Sequence, residues 1–150
     1  MAPAWAPMST EQRERFDRDG YLILRAALRP DEVRAYADAV GRVYAHAAAE
    51  RSLGRECSLH RLSAVTSCPD LVGLIDHPAT FPLVWSLLGW NLHIYHSHID
   101  VHPQVVGERP FWWHWHQDGG RQNREMETEP RPRMSVKLAY WLSDVSETGR

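Results

Sequence analysis

Apolar residues recur at helical spacing over four stretches of the first half of the chain. Ser9 and Gln12 have the three-residue separation of a capping box, which predicts a short helix ending before Gly20. Residues 21–24 (Tyr-Leu-Ile-Leu) then read as extended. A second helix is expected from Pro30, whose fixed φ suits a first turn, with Asp31 and Glu32 complementing the helix dipole. Its apolar positions are Val33, Tyr36, Ala37, Val40, Val43 and Tyr44, and Gly54 is the expected stop. A short strand is expected near Leu59–Leu62. Two apolar helices follow over 69–75 and 79–88, punctuated by Pro78 and Gly89. These helices form the scaffold of a single domain, with 1–90 helical and 91–150 strand-rich.

After Asn91 the period changes. Residues 92–101 are β-branched, aromatic and His-rich over a length too short and too alternating for a helix, which predicts a strand. Side chains alternate on a strand, so His96, His98, Asp100 and His102 share one face, and Tyr95, Ser97, Ile99 and Val101 the other. A Pro/Gly loop leads to the run Phe111-Trp112-Trp113-His114-Trp115-His116. Residues 119–133 read as a long polar loop or lid. A last strand is expected over 135–142, with Val136, Leu138, Tyr140 and Leu142 on its apolar face and Ser135 and Lys137 opposite.

Composition narrows the function classes. The 150 residues carry 17 Lys plus Arg against 19 Asp plus Glu, a net charge of −2, and neither half of the chain is basic. Nucleic acid is therefore not an expected partner. No stretch is apolar enough for a signal peptide or a membrane span, and two cysteines fit a reducing compartment, so the cytoplasm is the expected location. Six of the nine His and five of the seven Trp lie between positions 85 and 116, and chemistry is expected there.

His116-Gln117-Asp118 is the notable pattern in that window. On an extended segment, positions i and i+2 face the same way, so the imidazole and the carboxylate can reach one metal ion. The pair is two thirds of a two-His, one-carboxylate site, whose open positions suit a chelating co-substrate and dioxygen. Taken alone, a His-x-Asp also describes a solvated turn with an ordinary hydrogen bond.

Three further segments extend the pattern. Asp17-Arg18-Asp19-Gly20-Tyr21-Leu22-Ile23-Leu24 with Leu28-Arg29-Pro30-Asp31-Glu32-Val33, then Trp115-His116-Gln117-Asp118-Gly119-Gly120, then 140–149 (Tyr-Trp-Leu-Ser-Asp-Val-Ser-Glu-Thr-Gly) together resemble the phytanoyl-CoA dioxygenase family of iron(II)- and 2-oxoglutarate-dependent oxygenases. The resemblance implies an α+β fold with a mainly β core. Its core would be a double-stranded β-helix (a cupin-like jelly roll) wrapped by N-terminal helices, incomplete in this chain. It implies His116 and Asp118 as Fe(2+) ligands, 2-oxoglutarate as co-substrate, and a small-molecule substrate whose C–H bond is hydroxylated with dioxygen. It also makes His98 and His102, at the barrel mouth, and Ser135 and Lys137, facing the barrel interior, candidates for binding 2-oxoglutarate.

The family's second metal His and the Arg that pairs with 2-oxoglutarate fall downstream of position 150, so neither is carried over to a residue here. The expectation is a fragment of a longer protein or a truncated relative. Two rival readings follow: a non-catalytic paralogue or interaction module, and a zinc-binding cupin-like protein using His96, His98 and His116. The blander readings of individual residues are a polar strand for the His96–His102 face, aromatic anchors for Trp112, Trp113 and Trp115, and a solvated mixed-charge loop for Arg121 to Arg133.

Overall fold

The structure, a computed structural model, describes residues 6–52, 54, 57–102, 116, 118–126, 128–130 and 132–144. Helix α1 spans Thr10–Asp19 and begins with the expected capping box: the Ser9 hydroxyl accepts from the Gln12 N–H (3.1 Å), and the Ser9 N–H donates to Gln12 Oε1 (2.9 Å). Gly20, at φ +80°, ends it in the left-handed conformation. Helix α2 spans Pro30–Arg51, and the Glu32 carboxylate turns back to accept from the Arg29 N–H at 2.8 Å. It stops earlier than Gly54, because Ser52 itself takes the left-handed cap (φ 50°).

Strand β1 (Leu59–Leu62) is followed by a single-turn helix α3 (Ala64–Ser67), which the sequence pattern did not suggest. Residues Pro69–Leu74 are helical but wound as a 3-10 helix, and α4 spans Phe81–Leu88. Strand β2, His98–Val101, is the paired end of the longer strand expected over 92–101. It runs antiparallel to β1 in the register Leu59↔Val101, His60↔Asp100, Arg61↔Ile99 and Leu62↔His98. Alternation then sorts the ribbon. Leu59 (2% exposed) and Ile99 (5%) point inward, while His60, Leu62, His98 and Asp100 lie on the other face.

The core sits where the ribbon meets α2 and α3: Ala39, Ala64, Cys68, Leu71 and Ile99, with Tyr36, Val40, Val43, Val65, Leu74 and Val101 packed around them. Ala39 is α2's fully buried contribution to this cluster, and Tyr36, Val40 and Val43 of the same helix pack around it. A buried polar contact supplements this core. His77 accepts from the Ala79 N–H through Nδ1 (3.3 Å), and its Nε2 lies 3.5 Å from Glu32 Oε1, tying α2 to the turn before α4.

Two expectations for the second half need correction. The loop over 119–133 contains a short helix, α5, at Gly120–Glu125. The strand expected over 135–142 forms no ladder among the described residues; side chains rather than backbone pairing hold this segment. Tyr140 Oη donates to the Leu74 carbonyl (3.0 Å) and lies 2.6 Å from Thr80 Oγ1, and Arg133 of the preceding stretch pairs with Asp17 on α1. The aromatic run 111–115 lies outside the described residues. No helix among those described is long and apolar enough to cross a membrane.

Candidate metal and co-substrate site

His116 and Asp118 come together, though not on a strand. Asp118 and Gly119 form a turn, with Gly119 at φ +69°, that leads directly into α5. The turn keeps the two side chains in reach, with His116 Nε2 3.4 Å from Asp118 Oδ1. Both remain open to solvent, at 59% and 44% exposure.

The second carboxylate oxygen, Oδ2, is taken by the Lys137 ammonium. That contact holds the Asp118 carboxyl below its ordinary range, with smaller contributions from His116 and His96 and partial desolvation working the other way. Lys137, His116 and His96 are thus the cationic or potentially cationic side chains that act on the Asp118 carboxylate. Lys137 reaches it because the 135–142 segment is anchored at Tyr140, three residues further on.

The remaining predicted site residues distribute unequally. His96 is close enough to act on Asp118 and stacks near His98, with ring centroids 5.1 Å apart. His98 in turn lies 5.1 Å from His60, and both share Asp100: His60 Nδ1 sits 2.6 Å from Oδ1, His98 Nε2 3.0 Å from Oδ2. The His98 Nδ1 is buried and has no hydrogen-bond partner among the described residues. His98 is therefore one ring away from the carboxylate rather than beside it. His102 belongs elsewhere, with its Nδ1 3.1 Å from Ser58 Oγ past the far end of β2. Ser135 is exposed on the same segment as Lys137. The sequence reasoning did not single out His60. Its cue is cross-strand register, since His60 stands directly opposite Asp100.

These residues suit a divalent transition ion as a partial ligand set. Imidazole nitrogen and carboxylate oxygen are the donors such an ion accepts, and Asp118 already holds a cation on its outer oxygen. Among the described residues, no set of three or more His, Cys, Asp and Glu is arranged to hold a metal, so His116 and Asp118 stand as two donors.

Comparison with known proteins decides the lineage. The family model for phytanoyl-CoA dioxygenase matches residues 16–149. This chain belongs to the phytanoyl-CoA dioxygenase family. The match runs from the end of α1 through the His116–Asp118 turn and past the Lys137 segment. Relatives within reach include the ectoine dioxygenase of Nocardia farcinica, 28% identical over 93% of this chain and 47% of the relative. That of Sphingopyxis alaskensis is 30% identical over 89% of this chain and 45% of the relative. The ectoine dioxygenase of Streptomyces anulatus is 26% identical over 78% of this chain. The chain spans about half the length of the curated relatives it matches. No solved structure matches it.

Proposed function

We infer that this chain supplies the His116–Asp118 limb of a non-haem iron(II) site in a 2-oxoglutarate-dependent dioxygenase that hydroxylates a C–H bond of a small metabolite. The observation that carries the reading is the pre-ionised Asp118 within 3.4 Å of the His116 imidazole, with a cation already on its second oxygen, inside a family match that spans both residues. Iron bound there would supply Lewis acidity and redox capacity toward 2-oxoglutarate and dioxygen.

The chain's own residues do the positioning. The turn at Asp118–Gly119 aims both donors to one side, and the Tyr140 anchor sets Lys137 beside them. The Lys137 ammonium, with the hydroxyl of Ser135 on the same segment, offers an anionic co-substrate a charge and a donor at the edge of the ligand pair. The ribbon β1–β2 and the 135–142 segment are the parts of a double-stranded β-helix that this chain contributes, with the helices as its outer layer. The free thiols Cys57 and Cys68 suit work in the cytoplasm.

Anaerobic addition of iron(II) and 2-oxoglutarate to a full-length form of the protein tests the reading. A visible charge-transfer band that His116→Ala and Asp118→Ala each abolish is expected. Wild-type iron affinity in either variant would end the ligand assignment.

A further inference from the structure

The face of the ribbon turned away from the core carries two imidazoles and a carboxylate: His60 on β1, with His98 and Asp100 on β2. None of them belongs to the His116–Asp118 pair. Register gathers them, since His60 stands opposite Asp100 and His98 lies two positions before it, so alternation puts all three side chains on one side.

A carboxylate only accepts, and Asp100 faces one nitrogen of each ring: His60 Nδ1 is 2.6 Å from Oδ1, and His98 Nε2 is 3.0 Å from Oδ2. In the neutral rings the proton is drawn to the nitrogen beside the carboxylate, which leaves His60 Nε2 and His98 Nδ1 as bare lone pairs. The one on His98 is the buried nitrogen without a hydrogen-bond partner among the described residues. A buried acceptor left bare carries a desolvation cost, and a bound ion is one of the few things that relieves it.

Imidazoles whose other nitrogen is held by a carboxylate are the usual outer-sphere arrangement of metal-binding histidines. Ring spacing agrees with that use. Zinc–nitrogen bonds of about 2.0–2.1 Å put a ligating ring's centroid about 3.2 Å from the ion, so two rings at a tetrahedral angle lie about 5 Å apart. The His60 and His98 centroids are 5.1 Å apart.

We propose that His60 and His98 form a second metal site for a divalent ion of the zinc type, with Asp100 orienting both rings and water completing the coordination. Nitrogen donors suit such an ion and not Mg2+ or Ca2+, which take oxygen. Two imidazoles are the protein's whole share, because no set of three or more donors is arranged for a metal among the described residues. The His60 side chain, 46% exposed, leaves room for the water ligands.

Zinc titration of a full-length form carrying both His116→Ala and Asp118→Ala tests this, with calorimetry giving affinity and histidine NMR the location. One zinc is expected to bind, shifting the ring signals of His60 and His98 and not that of His46, exposed on α2. His60→Ala or His98→Ala in the same background should weaken zinc at least about tenfold, and Asp100→Asn, which keeps the shape and removes the charge, by about tenfold. An excess of Mg2+ should not displace it. Absence of zinc binding in the double variant, unchanged affinity on losing either ring or the Asp100 charge, or shifts confined to other histidines would each overturn the proposal.

Discussion

Replacing Tyr140 with Phe removes one oxygen and leaves the ring volume unchanged, so the substitution isolates a hydrogen-bond effect from a cavity effect. Proton bookkeeping gives the magnitude. The Tyr140 hydroxyl has one proton and donates it to the Leu74 carbonyl (3.0 Å), so the 2.6 Å contact is made by the Thr80 hydroxyl donating to Tyr140. Burial of the phenol raises its pKa, and the Thr80 donor acts in the opposite direction, as a donor to the phenolate must. In Tyr140→Phe, Thr80 can fall back on the His77 carbonyl, a longer contact of 3.4 Å, but the Leu74 carbonyl loses its side-chain donor. One net bond contributes about 1 kcal/mol, and a stranded acceptor adds to that, so a loss of about 1–2 kcal/mol is expected. Urea unfolding of the full chain should therefore show a lower midpoint at unchanged slope. A loss below about 0.5 kcal/mol would refute the two-bond anchor. Because the folded phenol titrates above its unfolded value, the anchor is fully present below the ordinary tyrosine range and weakens as pH rises through it. Tyr140→Phe should flatten the alkaline side of the stability profile.

Other perturbations have separate readouts. Leu59→Ala, at a position 2% exposed opposite Val101, should cost about 2–5 kcal/mol in chemical unfolding, and a cost under 1 kcal/mol would mean the Leu59 side chain is not packed in the interior. Ser9→Ala removes the hydroxyl half of the capping box while leaving the residue-9 N–H to donate to Gln12, and should cost about 1 kcal/mol, read by the same assay, with amide exchange quickening first at the start of α1. Lys137→Met should raise the Asp118 carboxyl pKa toward its ordinary range, followed by carbon NMR of the labelled carboxylate. Since the folded value is the depressed one, the ion pair's contribution is present above the ordinary carboxylate range and disappears as pH falls through the folded value. An unmoved titration in Lys137→Met would show that the ammonium is not the cause.

Local signals were legible in the sequence and partner-dependent ones were not. The capping box of α1, the Pro30 start of α2 and the β1 segment all follow from residues within a few positions of one another. Ser52 ended α2 ahead of the glycine because a left-handed cap needs only a residue that tolerates it. Residues 92–101 had strand composition throughout, yet pairing exists only where β1 lies opposite, since a strand is defined by its neighbour. The 135–142 segment shows the same limit: it joins no ladder among the described residues, and Tyr140 holds it instead. In the site, His116 and Asp118 could be paired from their spacing alone. The Lys137 contact and the His60–Asp100–His98 arrangement join residues far apart in sequence, and only the fold brings them together. His102 shared a face with His98 in the pattern, but the length of the strand separated their partners.

In the site proposed above, the Lys137–Asp118 pair would set the terms on which a metal arrives. A carboxylate held by an ammonium has already lost its proton, so a divalent ion approaching Asp118 meets no deprotonation step at that ligand. Capture becomes an exchange of one cation for another. Ion pairs this open to solvent are held by no more than about 1 kcal/mol, so the lysine orients the ligand without guarding it. Displaced from Asp118, the Lys137 ammonium would remain a positive charge beside the pair, available to an anion.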